Sequence, residues 1–137
     1  MDLNTYKKYI QILNEELVPA MGCTEPIAIA YAAAKAREVL GTFPESVIVK
    51  CSGNMIKNAR CVTVPNTGDL VGIEASAIIG ILAGKSHRKL EVINEVSEEA
   101  IIKTHELIQS DYCKVEFLDS EIELHIIVDV FNKEESA

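Results

Sequence analysis

The sequence predicts an α+β fold in which helices pack on antiparallel β-hairpins, and three observations carry that expectation. Some stretches repeat apolar residues at three-to-four spacing, as helices do, and others alternate apolar with polar, as strands do. The two kinds come in runs, giving an order of roughly ααββααββ, and the strand-like runs are joined by short segments with turn chemistry. At 137 residues, 48% hydrophobic and 25% charged, the chain is expected to form a single domain over residues 1–137, with apolar material enough for its own core.

Taken in order, Leu3, Tyr6, Ile10, Leu13 and Leu17 predict an amphipathic helix over about the first seventeen residues, with Lys7, Lys8 and Glu15 outward. A second helix is expected from about Pro26 to Leu40, stopped by Gly41. "ESVIVKCSG" reads as a strand with Val47, Val49 and Cys51 on one face. "GNMIKN" reads as a turn, and "ARCVTVP" as a second strand that could pair with the first as a hairpin. "PNTGD" is a turn by composition, because Asn66 and Gly68 both tolerate positive φ. Residues 70–83 are apolar nearly all round, which marks a buried helix; the stretch is too short for a bilayer and carries Glu74.

Gly72, Ser76, Gly80 and Gly84 form a ladder of small side chains there, and Ala28, Ala32 and Ala36 form another in the second helix. Two such faces can bring helix backbones unusually close. Ser97 is the expected N-cap of a helix from about Glu98 to Gln109, with Glu98 and Glu99 in its dipole-favoured first turn. "YCKVEFL" and "EIELHIIVDVF" close the chain as two alternating strands joined by "DS", with Ile122, Leu124, Ile126, Val128 and Val130 facing inward.

A formal charge of −8 argues against nucleic acid or an anionic membrane as partner, since a phosphate surface selects a basic face. The N-terminal stretch lacks the apolar core of a signal peptide or membrane anchor, so a cytoplasmic location is expected. The four cysteines, Cys23, Cys51, Cys61 and Cys113, contain no CxxC pair, which disfavours a zinc knuckle, a thioredoxin motif or a disulfide framework. Cys51 and Cys113 continue alternating apolar faces and read as small buried hydrophobes. "GILAGKS" imitates a phosphate-binding loop but is one residue short between its glycines and ends a helix instead of following a strand. His87, His105 and His125 fall on three elements without metal-binding spacing.

Cys23 is different. Glu25 precedes a proline and is expected outside the α region, so it or Thr24 would be the N-cap and Pro26 an early helical residue. Cys23 would then lie at the positive end of a helix, where a thiolate is stabilised for attack on an electrophile or for binding a metal. No histidine is near in sequence to act as its base, so a metal or iron–sulfur ligand suits the position better than a Cys-His nucleophile.

"MGCTEPIAIAYAAAKA", followed by "SGNMIKNARCVTVPNTGDLVGIEASAIIGILAG", resembles the N-terminal part of the L-cysteine desulfidase family, which is related to the iron–sulfur L-serine dehydratases. The resemblance runs from Leu17 to Ala137. It implies a cytoplasmic lyase with a 4Fe-4S cluster that eliminates a β-substituent from an amino acid, giving pyruvate and ammonia, and sulfide from cysteine. The family's cluster supplies Lewis acidity toward the leaving thiol or hydroxyl, while a base removes the α-proton.

By the same resemblance Cys23 is one cluster ligand. Read from the residues themselves, Glu25 is a candidate catalytic base or only a helix-end charge, and Ser52, Asn54, Lys57 and Asn58, with Asn66, Thr67 and Gly68, are candidates to hold the carboxylate of a small amino-acid substrate or only turn chemistry between strands. Members are roughly three times longer than this chain, with their other cluster cysteines in the part beyond it. The chain is therefore expected to be an N-terminal piece that needs a C-terminal catalytic portion, and to be soluble, folded and inactive by itself. Ala59 and Asn66 stand where the family usually has glycine, and only Asn66 adopts a left-handed turn readily. The rival expectation is a noncatalytic amino-acid-binding or regulatory module, or a dimerisation domain using the small-residue helix faces in a homo-oligomer.

Overall fold

The computed structural model describes residues 4–13, 24–85, 87, 92–93, 95–119 and 125–135. It is α+β, as the sequence predicts, with the elements β1 (Asn4–Leu13), α1 (Thr24–Leu40), β2 (Ser46–Cys51), α2 (Gly53–Ala59), α3 (Ile73–Ala83), α4 (Glu98–Gln109), β3 (Cys113–Phe117) and β4 (Ile126–Glu135). The strands form one sheet in the order β1-β4-β2-β3. β4 runs antiparallel to both β1 and β2, whereas β2 and β3 are parallel. Two crossovers result. β1–α1–β2 joins parallel strands with β4 inserted between them, and β2 reaches its parallel neighbour β3 through three helices.

Several expectations give way here. Residues 4–13 are a strand, not a helix, and pair along their whole length with β4, from Asn4 opposite Glu135 to Leu13 opposite Ile126. Thr5, Tyr6, Tyr9, Ile10 and Ile12 are β-branched or aromatic, and a ten-residue ladder outweighs the helical spacing of Tyr6, Ile10 and Leu13. "GNMIKN" is not a turn but most of α2, whose buried Met55 and Ala59 sit one helical turn apart. The expected hairpins are absent from the sheet. "ARCVTVP" folds back on residues 70–72 and not on β2: the Val64 N–H donates to Leu70 O at 2.7 Å, and the Gly72 N–H to Val62 O at 3.1 Å. β3 lies at the sheet edge beside β2, away from β4.

Other expectations are met. α1 stops at Gly41, whose φ of 86° and N–H bond to Arg37 O at 3.0 Å form a glycine C-cap. Ser97 caps α4, its Oγ accepting from the Ala100 N–H at 3.1 Å. Val47, Val49, Cys51, Ile126, Val128 and Val130 all face the core. Ile122 and Leu124 lie outside the described residues, as do Leu3, Glu15 and Leu17.

α3 is apolar all round because it lies between two cores. On one side Ile73, Ala77, Ile78 and Ile81 join Ala28, Ala32 and Ala36 of α1 over the sheet. On the other, Ala75 and Ile79 join Ile27, Ala30 and Ala34 under Val64, Leu70, Val92 and Ile93, with Ala100 and Ile101 of α4 packed against them. The close helix contact uses Ala30 and Ala34, not the Ala28-Ala32-Ala36 ladder. A Cβ on Gly80 would lie 2.7 Å from the Ala30 Cα, and one on Gly84 2.8 Å from the Ala34 Cβ. Ala28, Ala32 and Ala36 are buried within the chain, so that ladder is not a surface for dimerisation. No helix among the described residues is long and apolar enough to cross a membrane.

Candidate functional site

Cys23 lies outside the described residues. The residue after it, Thr24, is the first of α1, so Thr24 and Glu25 are already helical and neither is the expected N-cap. Pro26 is tolerated in this first turn because its missing N–H is one of the four that a helix start leaves unpaired. Glu25 is placed by its backbone at the second position of the helix.

One turn further on, Ile27 is buried in the same apolar cluster as Val64 and Leu70, the two residues that close the "PNTGD" loop. The start of α1 and the loop are thereby fastened to one body. Within the loop Asn66 has φ 65° and Gly68 φ 79°, the left-handed conformations its composition predicts. The Thr67 hydroxyl is buried and donates to Val64 O at 2.6 Å, and Asn66 Nδ2 donates to Ile93 O at 3.1 Å. Gly68 is exposed with open space where a Cβ would be. The loop is a hydrogen-bonded turn whose exposed rim is Asn66, Gly68 and Asp69; His105 of α4 approaches Asp69 at 3.8 Å.

The other candidate group sits on α2. Ser52 is buried at the end of β2; its Oγ accepts the His125 N–H at 3.2 Å, and its own N–H donates to His125 O at 2.9 Å. Its first task is therefore to hold the entry of β4. Asn54, Lys57 and Asn58 are exposed along α2. α2 touches α1, so both groups are carried by elements packed on α1, while their hydrogen bonds go to different partners.

The described thiols do not form a ligand set. Cys51 and Cys113 are buried, as expected of small hydrophobes, and burial pushes the Cys51 thiol up to about 12 and Cys113 further still. A cluster ligand requires the opposite, a thiol easily deprotonated. Cys61 is exposed on the segment after α2. Among the described residues no group of three His, Cys, Asp or Glu side chains could hold a metal ion, so they do not fit an iron–sulfur cluster by themselves.

Sequence reasoning missed one charged pair. Asp129, in the middle of β4, is 1% exposed, and its Oδ2 lies 3.3 Å from Lys50 Nζ on β2. Its Oδ1 is buried without a hydrogen-bond partner among the described residues. The available signal was the charge inside each apolar run, "VIVKC" and "IIVDVF", which alternation alone assigns to a solvated face.

No family model matches the chain. It is 53% identical over 132 residues to a UPF0597 protein of Lachnoclostridium phytofermentans, covering 96% of this chain and 32% of that protein. To a UPF0597 protein of Treponema denticola it is 48% identical over 126 residues, 92% of this chain and 29% of the relative. A third, from Desulfitobacterium hafniense, is 53% identical over 131 residues, 94% and 30% respectively. The chain spans about 30% of the length of these homologues.

Proposed function

We propose, from the resemblance of its motifs to the L-cysteine desulfidase family, that this is the N-terminal part of a longer iron–sulfur-dependent lyase; the UPF0597 homologues, of which the chain spans about 30%, support only the greater length. In the family that its motifs resemble, such an enzyme eliminates a β-substituent from a small amino acid to release pyruvate and ammonia, and sulfide when the substrate is cysteine. The observation that carries the reading is the joining of its two motif regions. The start of α1, which contains the "TEP" of "GCTEP", and the "PNTGD" loop share the cluster built by Ile27, Val64 and Leu70.

In this reading Cys23 anchors the cluster, and the remaining ligands come from the rest of the polypeptide. The exposed rims of the loop and of α2 supply neutral and cationic donors, Asn66, Asn54, Lys57 and Asn58, suited to a substrate carboxylate. Ser52 and Thr67 support those rims through their internal bonds. Glu25, in the first turn of α1, is the candidate base. The cytoplasm is the proposed location, and this portion alone is inactive.

A second reading is a noncatalytic amino-acid-binding or regulatory module. The burial of Cys51 and Cys113 in the core favours it, since it leaves few thiols for a cluster.

Anaerobic reconstitution with iron and sulfide separates the two. The chain is tested alone and joined to the remaining portion of a full-length homologue, reading visible absorption, bound iron, and sulfide and pyruvate release from cysteine. The lyase reading expects colour and activity only in the joined protein, both lost in Cys23→Ala. A joined protein that stays colourless and inert hands the chain to the binding-module reading.

A further inference from the structure

α1 and α3 run side by side in the same direction, since Gly80 of α3 meets Ala30 of α1 and Gly84, four residues on, meets Ala34. Their C-terminal ends therefore finish together, α1 at Leu40 and α3 at Ala83. Between them opens a cleft of about 230 Å³ lined by Ala34, Arg37, Glu38, Gly41, Thr42 and Gly84. Three of these six have little or no side chain, and a Cβ on Gly41 would meet nothing within 4 Å. The cleft is smaller than the roughly 300–1,000 Å³ of sites for drug-sized molecules, so its volume suits a small metabolite.

Opposite charges line it. Arg37 is half-buried; its Nη1 donates to Ile81 O at 2.8 Å, and its guanidinium carbon lies 5.9 Å from the centroid of the Phe43 ring. Phe43 in turn stacks on Tyr112, whose hydroxyl donates to Pro44 O at 2.6 Å. Backbone and ring thus hold the guanidinium in place, and the bond to Ile81 O uses only one of its N–H donors. Against it stand the Glu38 carboxylate and the last carbonyls of two helices, the negative ends of both macrodipoles. An anion alone would face those helix ends, and a cation alone would face Arg37. A molecule carrying both charges a short distance apart meets neither penalty.

We propose that this cleft binds a small zwitterion, a free α-amino acid, with its carboxylate on Arg37 and Thr42 and its ammonium on Glu38 and the carbonyl ends of α1 and α3. A planar guanidinium recognises a carboxylate through paired N–H donors, and a carboxylate such as Glu38 has several acceptor sites for an ammonium beside any it already uses. The small residues Ala34, Gly41 and Gly84 leave the room for the ligand's carbon atoms. Glu25 is at the other end of α1, roughly 20 Å from Arg37 along the axis, so this site is separate from the one built at the start of that helix. The inference rests on neither reading of the function given above.

Amide NMR of this chain titrated with L-alanine, acetate and ethylammonium tests it without any activity. The expected result is that L-alanine moves the signals of Gly41, Thr42 and Gly84, whereas acetate and ethylammonium at the same concentrations do not. Glu38→Lys, at an exposed side chain, should weaken L-alanine at least about tenfold, as the loss of a charge-assisted hydrogen bond requires, and Glu106→Lys on α4 should not. Arg37→Gln should abolish the shifts; Glu38→Lys decides if that variant fails to fold for want of the bond to Ile81 O. L-alanine that leaves the three signals in place overturns the proposal, as does undiminished binding in Glu38→Lys. Acetate or ethylammonium moving them as far also overturns it, since a single charge would then suffice. Shifts confined to Asn66 and Gly68 overturn it as well, by giving the amino acid to the loop of the candidate site.

Discussion

Gly80 of α3 meets the backbone of Ala30 in α1 so closely that a single added methyl would stand 2.7 Å from the Ala30 Cα. Neither helix can yield, because each is packed on both sides. Gly80→Ala is therefore expected to destabilise the chain by roughly 3 kcal/mol, the upper range for an overpacked core, despite alanine's better helix propensity. Gly53→Ala is the control, since its Cβ would meet only the Phe117 ring at 3.5 Å. Urea unfolding of the two variants should show a large loss for the first and little change for the second.

Lys50 and Asp129 should respond as a pair. Lys50→Met leaves the carboxylate buried and unpaired, costing about 2 kcal/mol, less than the usual 3–5 for a buried pair because Lys50 is itself 34% exposed. Lys50→Met combined with Asp129→Leu removes both charges and should recover most of that loss in thermal unfolding. A double variant no more stable than the single one would mean that the carboxylate does not depend on Lys50.

Asn66 combines a left-handed backbone, φ 65°, with a hydrogen bond to Ile93 O. Asn66→Ala loses both and is expected to cost about 1–2 kcal/mol. Asn66→Gly keeps the conformation and loses only the bond, so it should fall between the two. If the loop rim also holds substrate, both variants of the full-length protein should raise KM more than they lower kcat.

The buried thiols make stability fall in alkali. Burial raises the Cys51 thiol from 9.0 to about 12, so between those values the unfolded chain has released a proton that the folded chain still holds. The stabilisation is complete below about pH 9 and is lost as pH rises through the folded value, by up to about 1.4 kcal/mol per pH unit for each such thiol. Denaturation midpoints should decline above pH 9, and less steeply in Cys51→Ala measured against its own neutral-pH stability. At pH 8 a thiol reagent should modify exposed Cys61 while Cys51 and Cys113 stay protected.

Local chemistry made much of this legible. α1 with its glycine stop, the Ser97 cap of α4, the left-handed turn at Asn66 and Gly68, and the inward faces of β2 and β4 all follow from short-range rules. Residues 4–13 failed because Tyr6, Ile10 and Leu13 fit a helical stripe as well as a strand, and only pairing with residues 126–135 decides between them. "GNMIKN" failed because its glycine and asparagines advertise a turn, while the burial of Met55 and Ala59 that makes it helical is a tertiary fact. At the candidate site, residue types marked the loop correctly. They could not show that the Thr67 hydroxyl and an Asn66 amide N–H are committed to neighbouring carbonyls.

The place of β1 in the sheet sets a schedule for synthesis. Its partner β4 follows it by more than a hundred residues, so when the first strand leaves the ribosome nothing yet exists for it to pair with. β1 must wait, its backbone donors satisfied by water, while α1, β2 and the helices behind them emerge. Only when β4 arrives can it slot between β1 and β2 and join the first strand to the β2–β3 pair in one sheet. Until then β1 is an unpaired edge open to wrong partners, and a chaperone that shields it early would raise the yield of folded chain more than one acting after release.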